Sequence, residues 1–113
     1  MTDYQEITEV PEPSLQKGFY YHYKHDPEGA FNNYAYEVIG VSRHTETNAL
    51  SMLYRPLYEN TYLDVDFSAR PLEMAMDMVV VAGKAVPRFS KIEDPELIAL
   101  LSVTRDEMYP SHT

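Results

Sequence analysis

The 113-residue chain contains no cysteine and no tryptophan, and its four glycines are scattered. Without cysteine, the chain has no disulfides, thiolate nucleophiles, cysteine-ligated zinc or iron–sulfur clusters. The glycines form no phosphate-binding loop or dinucleotide fingerprint, and no Gly-x-Ser-x-Gly motif is present. The longest apolar run, residues 78–82, is far shorter than the about 20 residues that span a bilayer. These absences favour a single-domain cytoplasmic protein with no membrane attachment.

Most of the negative charge lies at the two ends of the chain. Residues 1–16 carry four acids and no base, residues 92–113 carry five acids and one base, and the net charge of the whole chain is −9. The middle of the chain holds eight of the nine basic residues. Binding to a duplex needs clustered Lys and Arg that neutralise phosphates, so no duplex nucleic-acid partner is expected. A small ligand or a local anion contact is compatible with this distribution.

Side-chain alternation predicts short strands in the middle of the chain. Residues 19–24 alternate, with Tyr20, His22 and Lys24 on one face. The proline, glycine and asparagines that follow predict a loop over residues 25–33. Gly83-Lys84 predicts the turn of a hairpin between the last two strands. The further predicted strands are residues 34–43, 50–58, 62–67, 78–82 and 85–89.

Two prolines mark predicted helix starts. Pro71, followed by strong helix formers, predicts a helix over residues 71–77. Asp94-Pro95-Glu96 supplies a cap, a proline in the first turn and an acid, which predict a helix over residues 95–108. We expect its apolar stripe to lie on the β core; the stripe consists of Leu97, Leu100, Leu101, Thr104 and Met108.

The predicted fold class is mainly β, because strands are many and short and the turns between them are close. The expected architecture is a small SH3-like barrel or a rolled antiparallel sheet, with an OB-type barrel as the next alternative. We interpret residues 1–13 as a flexible acidic arm and residues 14–92 as the β domain. Residues 93–109 are then a C-terminal helix packed on that domain, and residues 110–113 are a tail.

Six strings of the sequence follow the pattern of a known family in the same order and at similar spacing. They are Gly18-Phe19-Tyr20-Tyr21-His22-Tyr23-Lys24, Tyr36-Glu37-Val38-Ile39-Gly40-Val41, Arg43-His44-Thr45-Glu46-Thr47, Tyr54-Arg55-Pro56-Leu57-Tyr58, Arg70-Pro71-Leu72-Glu73-Met74 and Gly83-Lys84-Ala85-Val86-Pro87-Arg88-Phe89. Over residues 17–92 the chain resembles the short bacterial proteins grouped as domain of unknown function, family 1653. It departs from them in the longer loop 25–33 and in Ala75, where an aromatic residue is common. The resemblance implies a compact β domain and no particular activity.

The first strand and the turn near residue 45 each contain candidate ligand-binding residues. His22 and Lys24 place an imidazole and an ammonium on one face, which suits anion binding or proton transfer. The alternative is an exposed face on which His22 packs beside an aromatic ring. His44 and Glu46 offer a base and an acid at a turn, and the alternative there is ordinary turn hydrogen bonding.

Arg70 and Arg88 form the third candidate group. Two guanidinium groups on a β scaffold suit a carboxylate or a phosphate. Arg70 is also expected to precede a helix start, where free N–H groups favour an anion. The alternative is that both arginines form structural salt bridges.

A metal site built from His22, His44 and Glu46 is not expected. In a hairpin around the predicted loop, His22 lies opposite Tyr36, and His44 follows eight residues later. In an unbent strand this separation is about 26 Å at ~3.3 Å per residue. The sequence also has no His-x-His or His-Glu-x-x-His motif, so neither a metal nor another cofactor is predicted.

Tyrosine is abundant, with ten residues in the chain. Tyrosine-rich surfaces of small β proteins bind peptides, bases or methylated cations, and tyrosine also fills thin β cores. The preferred function is therefore a binding module for a small ligand, a peptide or a nucleotide-like group. The alternatives are a small hydrolase-type enzyme that uses His and Glu for acid–base work, and homo-assembly through an edge strand at residues 85–89. The discriminating observation is whether the candidate side chains surround one cavity.

Overall fold

The structure is a computed structural model that describes residues 15–61 and 63–110. The predicted acidic arm, residues 1–13, and most of the predicted tail lie outside the described residues. Neither of the described helices is long and apolar enough to cross a membrane.

An antiparallel five-stranded sheet forms the body of the domain. In chain order the elements are β1 (Gly18–His22), β2 (Ala35–Arg43), β3 (Leu50–Pro56), β4 (Ser68–Pro71), α1 (Leu72–Ala75), β5 (Met78–Val81), β6 (Lys84–Pro87), β7 (Phe89–Lys91) and α2 (Pro95–Met108). The large sheet has the order β4-β3-β2-β1-β7, and β5 and β6 form a separate hairpin. The predicted mainly β class, with a short helix and a C-terminal helix, is confirmed.

The large sheet is rolled. β4 and β7 are its two edges, and four inter-strand steps would set them about 19 Å apart in a flat sheet. The Arg70 guanidinium carbon nevertheless lies 5.6 Å from the centre of the Phe89 ring. A register shift between Val38 and Gly40 of β2 adds a bulge, which increases local twist. Of the expected architectures, the rolled sheet is therefore observed, and the described pairings leave β4 and β7 as open edges rather than closing a barrel.

The two faces of the sheet have separate hydrophobic cores. Phe19 and Tyr20 are adjacent in β1 and are both buried, but they belong to different cores because alternate side chains point to opposite faces. The concave face carries Tyr20, Val38, Met52, Leu72, Ala75 and Phe89. The opposite face is covered by α2 and carries Phe19, Ala35, Leu57, Ile92 and Leu101.

α2 has the predicted bounds, but one residue of its predicted stripe points away from the sheet. The Asp94 carboxylate accepts a hydrogen bond from the Glu96 N–H at 3.0 Å and caps the helix as expected. Leu101 is fully buried, whereas Leu100 is 52% exposed. The two side chains are about 100° apart around the helix, and the buried face does not extend as far as Leu100.

The predicted strand over residues 62–67 is wrong. Residues 63–67 form turns and irregular structure, and the strand that pairs with β3 is β4. The β3–β4 ladder ends at the Tyr54–Ser68 pair, two residues before Pro56, which has no N–H to donate. Tyr62 lies outside the described residues.

The pairing of β1 with β2 differs from the expected register by two residues. Tyr20 rather than His22 lies opposite Tyr36, and the His22 N–H donates to the Tyr34 carbonyl at 2.9 Å. The loop between the strands runs from residue 23 to residue 34 and is longer than predicted; within it, Asn33 hydrogen-bonds both the backbone N–H and the carbonyl of Asp26. A shift of two residues keeps every side chain on its face, so His22 remains on the predicted one.

Candidate functional site

A pocket of about 350 Å³ opens on the concave face of the sheet. We call it the tyrosine–arginine pocket. It is lined by Tyr36, Tyr54, Pro56, Asn60, Ser68, Ala69 and Arg70. Its size is at the lower end of the range for small-molecule sites.

Sheet register brings the lining residues together. Tyr36 of β2 lies opposite Pro56 of β3, and Tyr54 of β3 lies opposite Ser68 of β4. Arg70 follows Ser68 by two residues and therefore projects from the same face of β4. The predicted helix near residue 71 is confirmed as α1 but begins at Leu72. Arg70 consequently belongs to a strand, and the sheet rather than a helix start places its side chain.

Tyr36 is the centre of the aromatic wall. Its ring makes edge contacts with those of Tyr54, Tyr58 and Phe89 at centroid distances of 5.4, 5.6 and 5.8 Å. Its hydroxyl shares a hydrogen bond of 2.6 Å with the Tyr58 hydroxyl. Burial, followed by this hydrogen bond, raises the pKa of Tyr36 far above its usual value of 10.0. The Tyr36 phenol therefore stays neutral at any physiological pH.

Arg70 has a buried donor with no partner. Its Nε atom is shielded from solvent and has no hydrogen-bond partner among the described residues. Its guanidinium carbon lies 5.6 Å from the centre of the Phe89 ring, within the range of a cation–π contact. Leaving a buried donor unpaired typically costs about 1–3 kcal/mol. Buried polar atoms of native proteins nearly always have a hydrogen-bond partner, so the unpaired Nε needs an explanation.

Arg88 shows the contrasting case. Its Nε and Nη2 donate to the two Asp77 carboxylate oxygens at 2.7 and 3.2 Å. This bidentate ion pair lowers the pKa of Asp77 through the hydrogen bonds to Arg88. For Arg88, the salt-bridge alternative weighed from the sequence is thus the observed arrangement; for Arg70 no such bridge is found among the described residues.

His22 lies on the same face of the sheet, near three basic side chains. Its ring contacts those of Phe89 and Tyr34 at centroid distances of 5.2 and 5.7 Å. Burial, and then the positive charges of Arg70, Lys24 and Arg88, lower the pKa of His22 to about 4. Its Nδ1 accepts the Lys24 backbone N–H at 3.2 Å, which assigns the proton of the neutral ring to Nε2. The region around His22 is therefore electropositive and the imidazole is uncharged at neutral pH.

Four of the six candidate residues lie in one region, and two lie elsewhere. Arg70 lines the pocket, and the charges of Arg70, Lys24 and Arg88 all act on His22. His44 and Glu46 are exposed at the β2–β3 turn, where His44 Nδ1 accepts the Glu46 N–H at 3.1 Å. That contact is the turn hydrogen bonding weighed as their alternative. Within the described ranges, no three His, Asp or Glu side chains are grouped as metal ligands.

Tyr54 and Ser68 were not singled out as site residues from the sequence. The abundance of tyrosine was the available signal, but it did not separate core tyrosines from pocket tyrosines. Pairing Tyr54 with Ser68 requires the register of β3 with β4. The predicted strand over residues 62–67 placed the wrong segment beside β3.

Comparisons with known proteins match the β domain. The family model described as "Protein of unknown function (DUF1653)" matches residues 18–91. The chain is also similar to the crystal structure of a DUF1653 protein from Bordetella bronchiseptica, with 26% sequence identity, a TM-score of 0.57, and coverage of 70% of this chain and 88% of that chain. No curated protein matches the chain. The segment matched by the family model begins at β1 and ends at β7, so it contains the pocket and excludes α2.

Proposed function

The chain belongs to the DUF1653 family, and we propose that it is a binding module whose tyrosine–arginine pocket takes a small anionic ligand. The proposal rests on one observation above all, the buried Arg70 Nε that has no partner among the described residues at the wall of a pocket. A ligand oxygen that accepts from this atom would remove the cost of leaving it unpaired. Hydrogen bonds between charged groups are about twice as strong as neutral ones, so an anion gains most from this position.

The charge around the pocket supports an anion over a cation. Tyrosine cages bind methylated amines when the surroundings are neutral or negative. Here Arg70 lies beside the Phe89 ring and lines the pocket. A quaternary ammonium ligand in the pocket would be repelled by this guanidinium. The methylated-cation class is therefore disfavoured.

The protonation states favour binding over acid–base catalysis. An efficient general acid or base has a pKa near the working pH. The pKa of His22 is lowered to about 4, and that of Tyr36 is raised far above 10.0. His44 and Glu46, the pair considered for a hydrolase-type reaction, do not line the pocket. The enzyme alternative therefore gains no specific support from these side chains.

The edge strand on which the homo-assembly alternative was based is divided between two sheets. The predicted strand over residues 85–89 is divided: β6 pairs with β5, and Phe89 begins β7, which pairs with β1. A continuous five-residue edge is therefore not present at this position.

A thermal-shift screen on the full chain tests the anion-binding proposal. The panel contains acetate, benzoate, inorganic phosphate and phenyl phosphate, with benzylamine as the cation. A ligand at about 100 times its Kd stabilises the native state by about 2.7 kcal/mol. We expect at least one anion to raise the melting temperature and benzylamine to leave it unchanged.

Arg70→Met and its control Arg43→Met locate the effect. Arg43 is an exposed arginine at the end of β2, so its variant removes the same charge away from the pocket. The anion-induced shift should disappear in Arg70→Met and persist in Arg43→Met. No response to any anion, or an equal response in both variants, contradicts the proposed function.

A further inference from the structure

We propose that the ligand is a small planar monocarboxylate that carries a single aromatic ring. This inference rests on the proposed function, because it specifies the class of anion that the same pocket takes. Three properties of the pocket carry it: its net charge, the donor geometry of Arg70 and the chemistry of its walls.

The charge of the pocket matches a single negative charge. Among the described residues, Arg70 is the only charged residue in the lining. Arg88 lies close enough to act on His22, but its guanidinium is already neutralised by both oxygens of Asp77. A phosphate monoester carries nearly two negative charges at neutral pH, and its second charge would find no uncommitted guanidinium in the lining. A carboxylate carries one charge and leaves none unpaired.

The unused donor of Arg70 also suits a carboxylate. The side edge of a guanidinium, which consists of Nε and one Nη, binds the two oxygens of a carboxylate in a planar pair of parallel hydrogen bonds. Nε belongs to this edge, and it is the atom that is buried and unpaired. Because Nε is shielded from solvent, a ligand oxygen reaches this edge when the Arg70 side chain rotates toward the pocket. Phosphates also bind this edge in a bidentate manner, so the charge of the pocket, rather than the shape of the headgroup, separates the two classes.

The walls of the pocket combine tyrosine rings with neutral polar groups, and the described lining adds no charge to that of Arg70. The rings of Tyr36 and Tyr54 meet at 5.4 Å with an interplanar angle of 72°, which forms a corner rather than a parallel stacking slot. The edge of an aromatic ring fits against such a corner. The Ser68 hydroxyl in the lining is a neutral polar group that would hold a substituent by a hydrogen bond. The volume of about 350 Å³ suits a ligand with one ring better than a nucleotide.

Isothermal titration of the full chain at pH 7 with matched probes tests the ligand class. Benzoate, phenyl phosphate and benzamide share a ring and differ in their headgroup. We expect benzoate to bind about tenfold more tightly than either of the others, the ratio that corresponds to about 1.4 kcal/mol. Arg70→Met should remove most of this preference, Arg70→Lys should keep attraction but lose part of the planar fit, and Arg43→Met should leave it unchanged.

The outcomes separate the ligand class from the proposed function. Tighter Arg70-dependent binding of phenyl phosphate overturns the monocarboxylate and leaves anion binding standing. Equal binding of benzamide and benzoate, or no binding of either anion, overturns both. The peptide acetyl-Gly-Gly-Phe supplies a carboxylate at a chain terminus; if it binds more tightly than benzoate, the small-acid class is wrong and the pocket takes a peptide C-terminus.

Discussion

Arg70 differs from the other arginines of the domain in having an unpaired buried donor. Arg55 and Arg105 both donate to Glu37, at 2.9 and 3.0 Å, and Arg88 donates to Asp77. Each of these guanidinium groups has a structural partner that explains its position. Arg70 has a structural neighbour in Phe89 but no acceptor for Nε among the described residues.

Replacing Arg70 should therefore affect stability differently from replacing Arg88. We expect Arg70→Met to leave the free energy of unfolding unchanged or slightly higher, because the variant removes a buried donor that typically costs about 1–3 kcal/mol. Arg88→Met should lower it, because Asp77 loses its bidentate partner. Urea unfolding at pH 7 measures both. If Arg70→Met loses more than about 1 kcal/mol, Arg70 has a structural role instead.

His22 should make stability depend on pH below neutrality. Its pKa is 6.5 as an unperturbed side chain and about 4 in the folded chain. Between these values the unfolded chain binds a proton at His22 and the folded chain does not, so protons favour unfolding. We expect the His22 contribution to reduce stability as the pH falls from 6.5 to 4 and to level off below 4.

Two histidine variants isolate this effect from the titration of carboxylates. His22→Gln should flatten the loss of stability between pH 6.5 and pH 4 relative to the native chain, as measured by urea unfolding at several pH values. His44→Gln, at an exposed turn, should keep the native profile. A His22 imidazole that titrates near 6.5 by NMR would contradict the expected displacement.

At the scale of elements, α2 is held to the sheet by one apolar face and one ionic contact. Leu101 is fully buried on the face that also contains Phe19 and Ile92. Arg105 reaches from the helix to Glu37 of β2, and the Arg55 guanidinium lies 4.1 Å from the centre of the Tyr109 ring. These contacts join the last helix to the middle of the sheet.

Leu101→Ala and Leu100→Ala form a matched pair on α2. We expect Leu101→Ala to lower the free energy of unfolding by about 2–5 kcal/mol, because it leaves a cavity in a closed core. Leu100→Ala changes the same side chain at a position that is 52% exposed and should shift stability by no more than about 0.5 kcal/mol. Chemical unfolding compares the two, and similar losses would show that Leu100 is buried in solution.

Elements specified by neighbouring residues were predicted well, and those specified by distant pairing were not. The bounds of α2 follow from Asp94 and Pro95, which act within one turn. The hairpin turn is predicted at Gly83-Lys84 and is observed one residue earlier, at Ala82-Gly83, because Lys84 pairs with Val81; Gly83 has a backbone φ of 79°. The identity of β4 depends on which segment reaches β3, and residues 62–67 had the stronger alternation. The alternation of polar and apolar residues does not show which segment pairs with β3.

At the scale of the whole molecule, the hairpin of β5 and β6 is weakly attached. In the described chain its strands pair only with each other, and Val80 is 74% exposed. An isolated two-stranded hairpin is only marginally stable in water. We expect its backbone amides to exchange with solvent faster than those of β2, which has partners on both sides. Hydrogen exchange followed by mass spectrometry measures this, and equal protection would show that the hairpin opens only with the sheet.

The candidate site was partly predictable for the same reason as the fold. Arg70 and His22 were identifiable by residue type, and alternation assigned His22 to its face. Their proximity arises from the rolling of the five strands, which carries β4 toward β7. That curvature is a property of the assembled sheet. Residue spacing along the sequence gives distances for unbent strands only, so it does not predict which residues the curvature brings together.

The meeting of both sheet edges at Arg70 and Phe89 has a kinetic consequence. The pocket and the Phe89 ring beside Arg70 bring together residues from position 36 to position 89. The site therefore forms only when the long-range strand pairings are complete. A ligand that bridges these strands would stabilise the native state without stabilising a transition state in which the edges are still apart. Stopped-flow measurements should then show slower unfolding and an unchanged refolding rate at saturating ligand. The ligand-bound protein would therefore be kinetically stable, because it unfolds slowly rather than because it folds faster.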